Sequence, residues 1–134
     1  MPATLTPFLM FQNGESAEAM ETYVALFGGT VLRKDLHGPD GPGGPEAAAL
    51  VMLGEIDIAG QRIRFSDSPM RHAFDLTPSF SIFVDVDDEA ELERLFAALG
   101  DGGSVMMPRG DYGFSRQFAW VSDRYGVSWQ LNLP

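Results

Sequence analysis

Seven side chains have types and positions suited to holding a small molecule: Arg64, Ser79, Ser81, Tyr112, Phe114, Trp120 and Gln130. Alternation with period two sorts them onto faces. Over 61–66, Ile63 and Phe65 oppose Arg62, Arg64 and Ser66. Over 79–84, Phe80, Ile82 and Val84 oppose Ser79, Ser81 and Phe83. On the last strand Val127, Trp129 and Leu131 oppose Ser128, Gln130 and Asn132. The apolar sets pack under helices. The opposite sets offer Arg64, Ser79, Ser81 and Gln130, with Trp120, Tyr112 and Phe114 nearby. Apolar walls carrying a few convergent polar groups describe a small-molecule pocket. A buried or half-buried guanidinium needs an anion. For Arg64 that anion is either a ligand carboxylate or phosphonate, or an internal acid such as Asp57, Glu55 or Asp67. Gln130 either meets a ligand or bridges two strands. Trp120 and Trp129 serve either as core or as stacking platforms.

Other chemistry is sparse. The chain has no cysteine, which removes disulfides, thiolate nucleophiles and thiolate–metal sites. The two histidines, His37 and His72, fall in loops, and a loop His without converging partners is ordinarily solvated. No serine stands in a fixed relation to a histidine, so no nucleophile is evident. Asp111 and Asp123 read as turn or cap residues before general bases.

The elements that position these residues come in two similar sets. Met20, Tyr23, Val24 and Phe27 have the i, i+3, i+4, i+7 spacing of a helix face, ending at Gly28-Gly29. Leu92, Leu95, Phe96 and Leu99 repeat it 72 residues later, ending at Gly100. Phe8 and Phe11 recur as Phe80 and Phe83 at the same offset, in a strand-like run before each helix. Strands are expected over 6–12, 30–36, 48–59, 61–66, 79–86, 104–107, 115–122 and 127–133. Helices should run from near Ser16, read as the cap, to Phe27, and from about Glu89 to Leu99 with Asp88 and Glu91 at capping-box spacing. The Gly-Pro segment His37–Pro45 reads as a mobile loop, and 68–77 as the connector between halves.

Composition narrows the partners. At 134 residues, 45% hydrophobic and 21% charged, the chain suits one globular domain, 1–134, with modules of about 5–68 and 79–134. A net charge of −10, from 19 acidic and 9 basic residues, disfavours nucleic acid. The apolar run Ala47–Leu53 is too short to span a bilayer. No basic-then-apolar leader is visible at Met1-Pro2-Ala3-Thr4, so no membrane partner and a cytoplasmic location are expected.

The order strand, helix, three strands, twice over, resembles the vicinal-oxygen-chelate superfamily of glyoxalases, extradiol dioxygenases and bleomycin-resistance proteins. Within it the chain is similar to the PhnB-like branch, often labelled 3-demethylubiquinone-9 3-methyltransferase. The resemblance rests on Thr6-Pro7-Phe8-Leu9-Met10-Phe11 with Ala17–Tyr23, on Phe80–Val84, and on Met107-Pro108, Gly110-Asp111-Tyr112, Phe118–Val121 and Asp123–Leu131. It covers nearly the whole chain. It implies an α+β fold of two pseudo-symmetric βαβββ modules whose curled mixed sheets face a shared cleft, and a homodimer.

Metal-using members of that superfamily place ligands near the start of the first strand and on the last strand of each half. By that resemblance the corresponding positions here are Arg64 and Gln130, with Pro7 and Ser79, or Leu9 and Ser81 after a shift of two. None is a good ligand for a divalent cation, so no metal in the usual site and no cofactor are expected. The methyltransferase label has no Gly-rich strand-to-helix turn behind it. The expectation is a small-molecule-binding protein of the glyoxalase and bleomycin-resistance kind. The alternatives are a metal-dependent lyase, isomerase or dioxygenase acting on a small oxygenated metabolite, and a purely structural or partner-binding protein.

Overall fold

A computed structural model describes residues 2–134. The chain forms two compact units, Met1–Asp75 and Leu76–Pro134. The first contains β1 (Phe8–Phe11), α1 (Ser16–Phe27), β2 (Thr30–Leu36), a 3-10 turn (Pro45–Ala47), β3 (Val51–Ile58) and β4 (Gln61–Asp67). The second contains β5 (Ser81–Asp85), α2 (Glu89–Gly100), β6 (Ser104–Gly110), β7 (Gln117–Ser122) and β8 (Ser128–Leu133). Each has one four-stranded mixed sheet, ordered β1-β4-β3-β2 and β5-β8-β7-β6. β1–β4 and β5–β8 are parallel, and the remaining pairs are antiparallel. The α+β fold of two βαβββ modules is thus present.

Each helix covers one face of its sheet. Met20 and Tyr23 of α1 are buried with Leu9, Phe11, Ile56, Ile63 and Phe65. Leu92, Leu95 and Leu99 of α2 are buried with Val121, Trp129 and Leu131. These are the apolar sets that alternation selects. A close approach follows each helix in the same way. A Cβ on Gly29 would lie 2.0 Å from the Asp57 carbonyl oxygen, and one on Gly103 would lie 2.1 Å from that of Ser122.

The helix starts differ from one another. Asp88 Oδ1 accepts the Glu91 N–H at 2.8 Å, as its spacing predicts. Ser16 is not a cap. It is the first residue of α1, and Glu15 before it makes no side-chain cap. The Ser16 N–H instead donates to Oδ1 of Asp67, at the end of β4, at 2.9 Å. Asp67 Oδ2 also accepts the Val51 N–H at 2.9 Å, so one buried carboxylate ties α1, β3 and β4 together.

Four more expectations need correction or refinement. The segment 37–50 is held by successive backbone turns: Gly41 to Gly38, Gly44 to Gly41, Ala47 to Gly44 and Leu50 to Ala47, with His37 N–H bonded to the Leu50 carbonyl. Gly and Pro there build successive hydrogen-bonded turns, where the sequence reads only as a loop. The third strand starts at Val51, not Ala48, because these turns consume the residues before it. Ser79 lies outside β5, which begins at Ser81. β6 extends past Met107 to Gly110, with two register shifts along it.

The 72-residue offset holds for the helix stripes and fails for the strands. Phe11 is buried whereas Phe83 is exposed. Phe8 lies beside Arg64 in β1–β4, and Phe83 lies beside Gln130 in β5–β8. Phe8 and Phe83 are therefore the structural equivalents, 75 residues apart. The connection from strand to helix is shorter in the second unit, and this absorbs the difference.

Candidate functional site: the open sheet faces

Opposite its helix, each sheet has an open face. Register places four residues side by side across it. In the first unit the row is Phe8, Arg64, Glu55 and Arg33. In the second it is Phe83, Gln130, Trp120 and Met107. The rows are equivalent strand for strand. Arg64 and Gln130 each follow a left-handed turn glycine, Gly60 (φ 81°) and Gly126 (φ 89°), by four residues. One row is ionic and the other is neutral.

In the ionic row Arg64 Nε meets Glu55 Oε1 at 2.7 Å, and Arg62 Nε lies 3.8 Å from Oε2. Glu55 is buried, and Arg64 is exposed rather than buried or half-buried. Of the two partners considered for Arg64, the structure contains the internal acid. The hydrogen bond from Arg64 holds the Glu55 carboxyl below the ordinary glutamate range. Desolvation opposes this, and the charges of Arg64, Arg62 and Arg33 reinforce it. Only Nε of Arg64 is engaged, so its terminal nitrogens make no bond to a described residue. Arg33 pairs with Asp35.

The neutral row carries a directed hydroxyl chain. Trp120 Nε1–H donates to Ser128 Oγ at 2.8 Å, Ser128 Oγ and Ser81 Oγ lie 2.7 Å apart, and Ser81 Oγ donates to the Pro78 carbonyl at 3.3 Å. Beside it, Phe118 is flanked edge to face by Tyr112 (centroids 6.0 Å) and Phe114 (4.9 Å), with Phe83 at 6.2 Å. Tyr112 is pinned by its hydroxyl, which donates to the Pro108 carbonyl at 2.6 Å. Ser81, Tyr112, Phe114, Trp120 and Gln130 thus belong to one face of one sheet. Ser79 does not join them, and its hydroxyl meets Thr77 Oγ1 at 2.7 Å. Trp129 is core, its indole N–H bonded to Asp123 Oδ2 at 2.9 Å.

Sequence reasoning missed several participants. Glu55 appeared only as one of three acids for Arg64, since cross-strand register is invisible before the strands pair. Phe83, Phe118, Ser128 and Met107 complete the second face. The alternation signal places Phe83 and Ser128 there, whereas the bulges in β6 hide Met107. Ser68 Oγ lies 2.9 Å from His72 Nε2, a hydroxyl–imidazole contact that sequence reading did not find. The same hydroxyl donates to the Met70 carbonyl at 2.8 Å and accepts the Met70 N–H at 3.2 Å. The Met70 carbonyl thus competes with the imidazole for the one hydroxyl proton, and no carboxylate is bonded to His72 to orient it as a base, among the described residues. A hollow of about 620 Å³ between α2 and β6, lined by Phe96, Ala97, Gly100 and Val105 among others, contains none of the candidate residues.

At the positions where the resemblance would put metal ligands, the residues present do not fit a divalent metal. The first-strand neighbours of Arg64 and Gln130 are Phe8 and Phe83, and Leu9 is buried on the opposite side. Among the described residues no three His, Asp or Glu side chains converge on a metal-sized site.

Over residues 3–132 the chain matches the family described as 3-demethylubiquinone-9 3-methyltransferase. The PhnB protein from Bacillus cereus is 36% identical, over 98% of this chain and 100% of that one, with a TM-score of 0.90. Protein YjdN from Escherichia coli strain K12 is 26% identical, over 96% of this chain and 94% of its own length. The fosfomycin resistance protein FosX from Listeria monocytogenes, at 13% identity and a TM-score of 0.63 over 98% of this chain and 93% of that one, shares the fold. The chain belongs to the 3-demethylubiquinone-9 3-methyltransferase family, to which it is matched over nearly its whole length and in which it is similar to PhnB.

Proposed function

We propose that this protein binds a small organic molecule on its open sheet faces and does so without a divalent metal in the superfamily's usual place. The single observation that carries this reading is the pair of equivalent rows. Where a metal-using relative needs acidic or imidazole donors, this chain has a guanidinium tied to Glu55 and a carboxamide between Phe83 and Trp120. A guanidinium repels a cation, and a lone carboxamide is a weak ligand for one. The ionic row suits a carboxylate or phosphonate, which the unengaged terminal nitrogens of Arg64 can grip. The aromatic face suits an apolar body.

Methyl transfer, as the family's description has it, calls for a site for a methyl donor. Both helix N-termini already receive the protein's own carboxylates, Asp67 on α1 and Asp88 on α2. The residues do not fit that donor, and no step is derived through it.

The test is a ligand screen by thermal shift with and without chelator. A ligand that binds only the folded state raises the melting temperature, and the shift should be the same with chelator present. Arg64→Ala should remove the response to anionic ligands and spare neutral ones. Equal loss for both classes would signal structural damage instead. A two-fold homodimer is part of the same proposal, favoured by the exposed Val31, Leu32 and Leu36 of β2 and by the prevalence of such symmetry. So is a cytoplasmic location. No helix among the described residues is long and apolar enough to cross a membrane.

A further inference from the structure

We infer that Gln130 selects a flat, uncharged ligand bearing an adjacent donor and acceptor, of the lactam or carboxamide class. This rests on the reading of the second open face as a ligand surface and specifies its chemistry. The inference starts from the hydrogen-bonding capacity of that face. An indole N–H can only donate and a proline carbonyl can only accept. The chain Trp120, Ser128, Ser81, Pro78 therefore runs in one direction, and both hydroxyl protons are used within it. Asn132 donates to Asp85 Oδ1 at 2.9 Å, which engages the next row. Gln130 makes no side-chain hydrogen bond to any described residue, although it is half-buried. Its lateral neighbours are Phe83 and Trp120.

A carboxamide presents an acceptor oxygen and donor nitrogen in one plane. Its complement is a group with a donor beside an acceptor, which closes a two-bond ring. Charge also points to a neutral ligand, because the row Phe83, Gln130, Trp120, Met107 has no ionised member. A carboxylate there would satisfy the amide nitrogen and leave the oxygen facing an acceptor. Covering Gln130 with a ligand that cannot use both groups leaves one unpaired, and sites that hydrogen-bond their ligand reject such analogues strongly.

The experiment uses the full chain, isotopically labelled, with two probes of nearly equal shape. One is 2-quinolinone, a lactam. The other is 1-methyl-2-quinolinone, which lacks the N–H. NMR titration reads affinity, and the Trp120 indole resonance reports location. The expected result is at least tenfold tighter binding of the lactam, with shifts at Trp120. Gln130→Met, of similar size, should make the two probes equal while leaving the amide spectrum otherwise native. Equal affinity in the wild type, or a preference that survives Gln130→Met, overturns the inference and leaves the small-molecule reading standing. Failure of both probes, and of a broad panel of aromatic compounds, to shift Trp120 overturns the inference together with that reading.

Discussion

Asp123 offers a quantitative test of how the second open face is held. Its carboxylate is buried at the β7–β8 turn. Oδ1 accepts the N–H groups of Tyr125 at 2.9 Å and Val127 at 3.0 Å, and Oδ2 accepts the Trp129 indole N–H at 2.9 Å. The turn sets where β8 begins, and β8 carries Ser128 and Gln130. Asp123→Ala takes this acceptor from three donors in a buried setting. Each lost partner costs about 1–2 kcal/mol once partial recovery by water is allowed for, giving about 3–6 kcal/mol in total. For a chain of this size that is about 10–21 °C in melting temperature. Asp123→Asn keeps one oxygen for the two turn N–H groups and turns an NH2 toward the indole, so its cost should be smaller, about 1–3 kcal/mol. Asp111→Ala is the control. That residue is exposed and, among the described residues, its carboxylate accepts only the Gly113 N–H, at 2.8 Å, so the loss should stay within about 1 kcal/mol. Urea denaturation followed by near-ultraviolet circular dichroism reports both stability and the tryptophan environment. A loss for Asp123→Ala no larger than for Asp111→Ala would refute the reasoning.

Further outcomes follow from the same geometry. Gly29→Ala and Gly103→Ala each drive a Cβ against a carbonyl oxygen, so each should cost about 1–3 kcal/mol or more in denaturant melts. Asp67→Ala should loosen α1 and the start of β3 together, visible as faster amide exchange at Ser16 and Val51 than elsewhere in the sheet. The Glu55 carboxyl titrates below the ordinary glutamate range because Arg64 bonds its ionised form. The stability it contributes is therefore full above the unfolded-state pKa and is lost as pH falls through the lower folded-state value. A carbon-13 titration should show the Glu55 midpoint rising in Arg64→Met.

The sequence was most legible where local rules suffice. Period-two alternation picked the buried sets Ile63 with Phe65 and Trp129 with Leu131, and 3.6-residue periodicity picked Met20 with Tyr23 and Leu92 with Leu95. It was least legible where partners lie far apart along the chain. The acid that caps α1 is Asp67, 51 residues from Ser16, so the nearby Ser16 drew the assignment. The repeat at 72 residues misaligned the strands because a shorter connection precedes α2, and only the pairing of Phe8 with Arg64 and Phe83 with Gln130 reveals the true register. Composition alone cannot distinguish a floppy Gly-Pro loop from one of stacked turns, since both use the same residues. Alternation puts Arg64 and Gln130 opposite the buried Ile63, Phe65, Trp129 and Leu131, whereas the Glu55 bond needed the β3–β4 register.

The most direct test of the central claim is calorimetric titration of the chelator-treated protein with manganese, zinc and nickel, each alone and then after saturation with a ligand from the screen. The account predicts no stoichiometric binding of any of the three and an unchanged ligand affinity. One ion bound per chain, displaced or weakened by substitution at Gln130 and required for ligand binding, would contradict it.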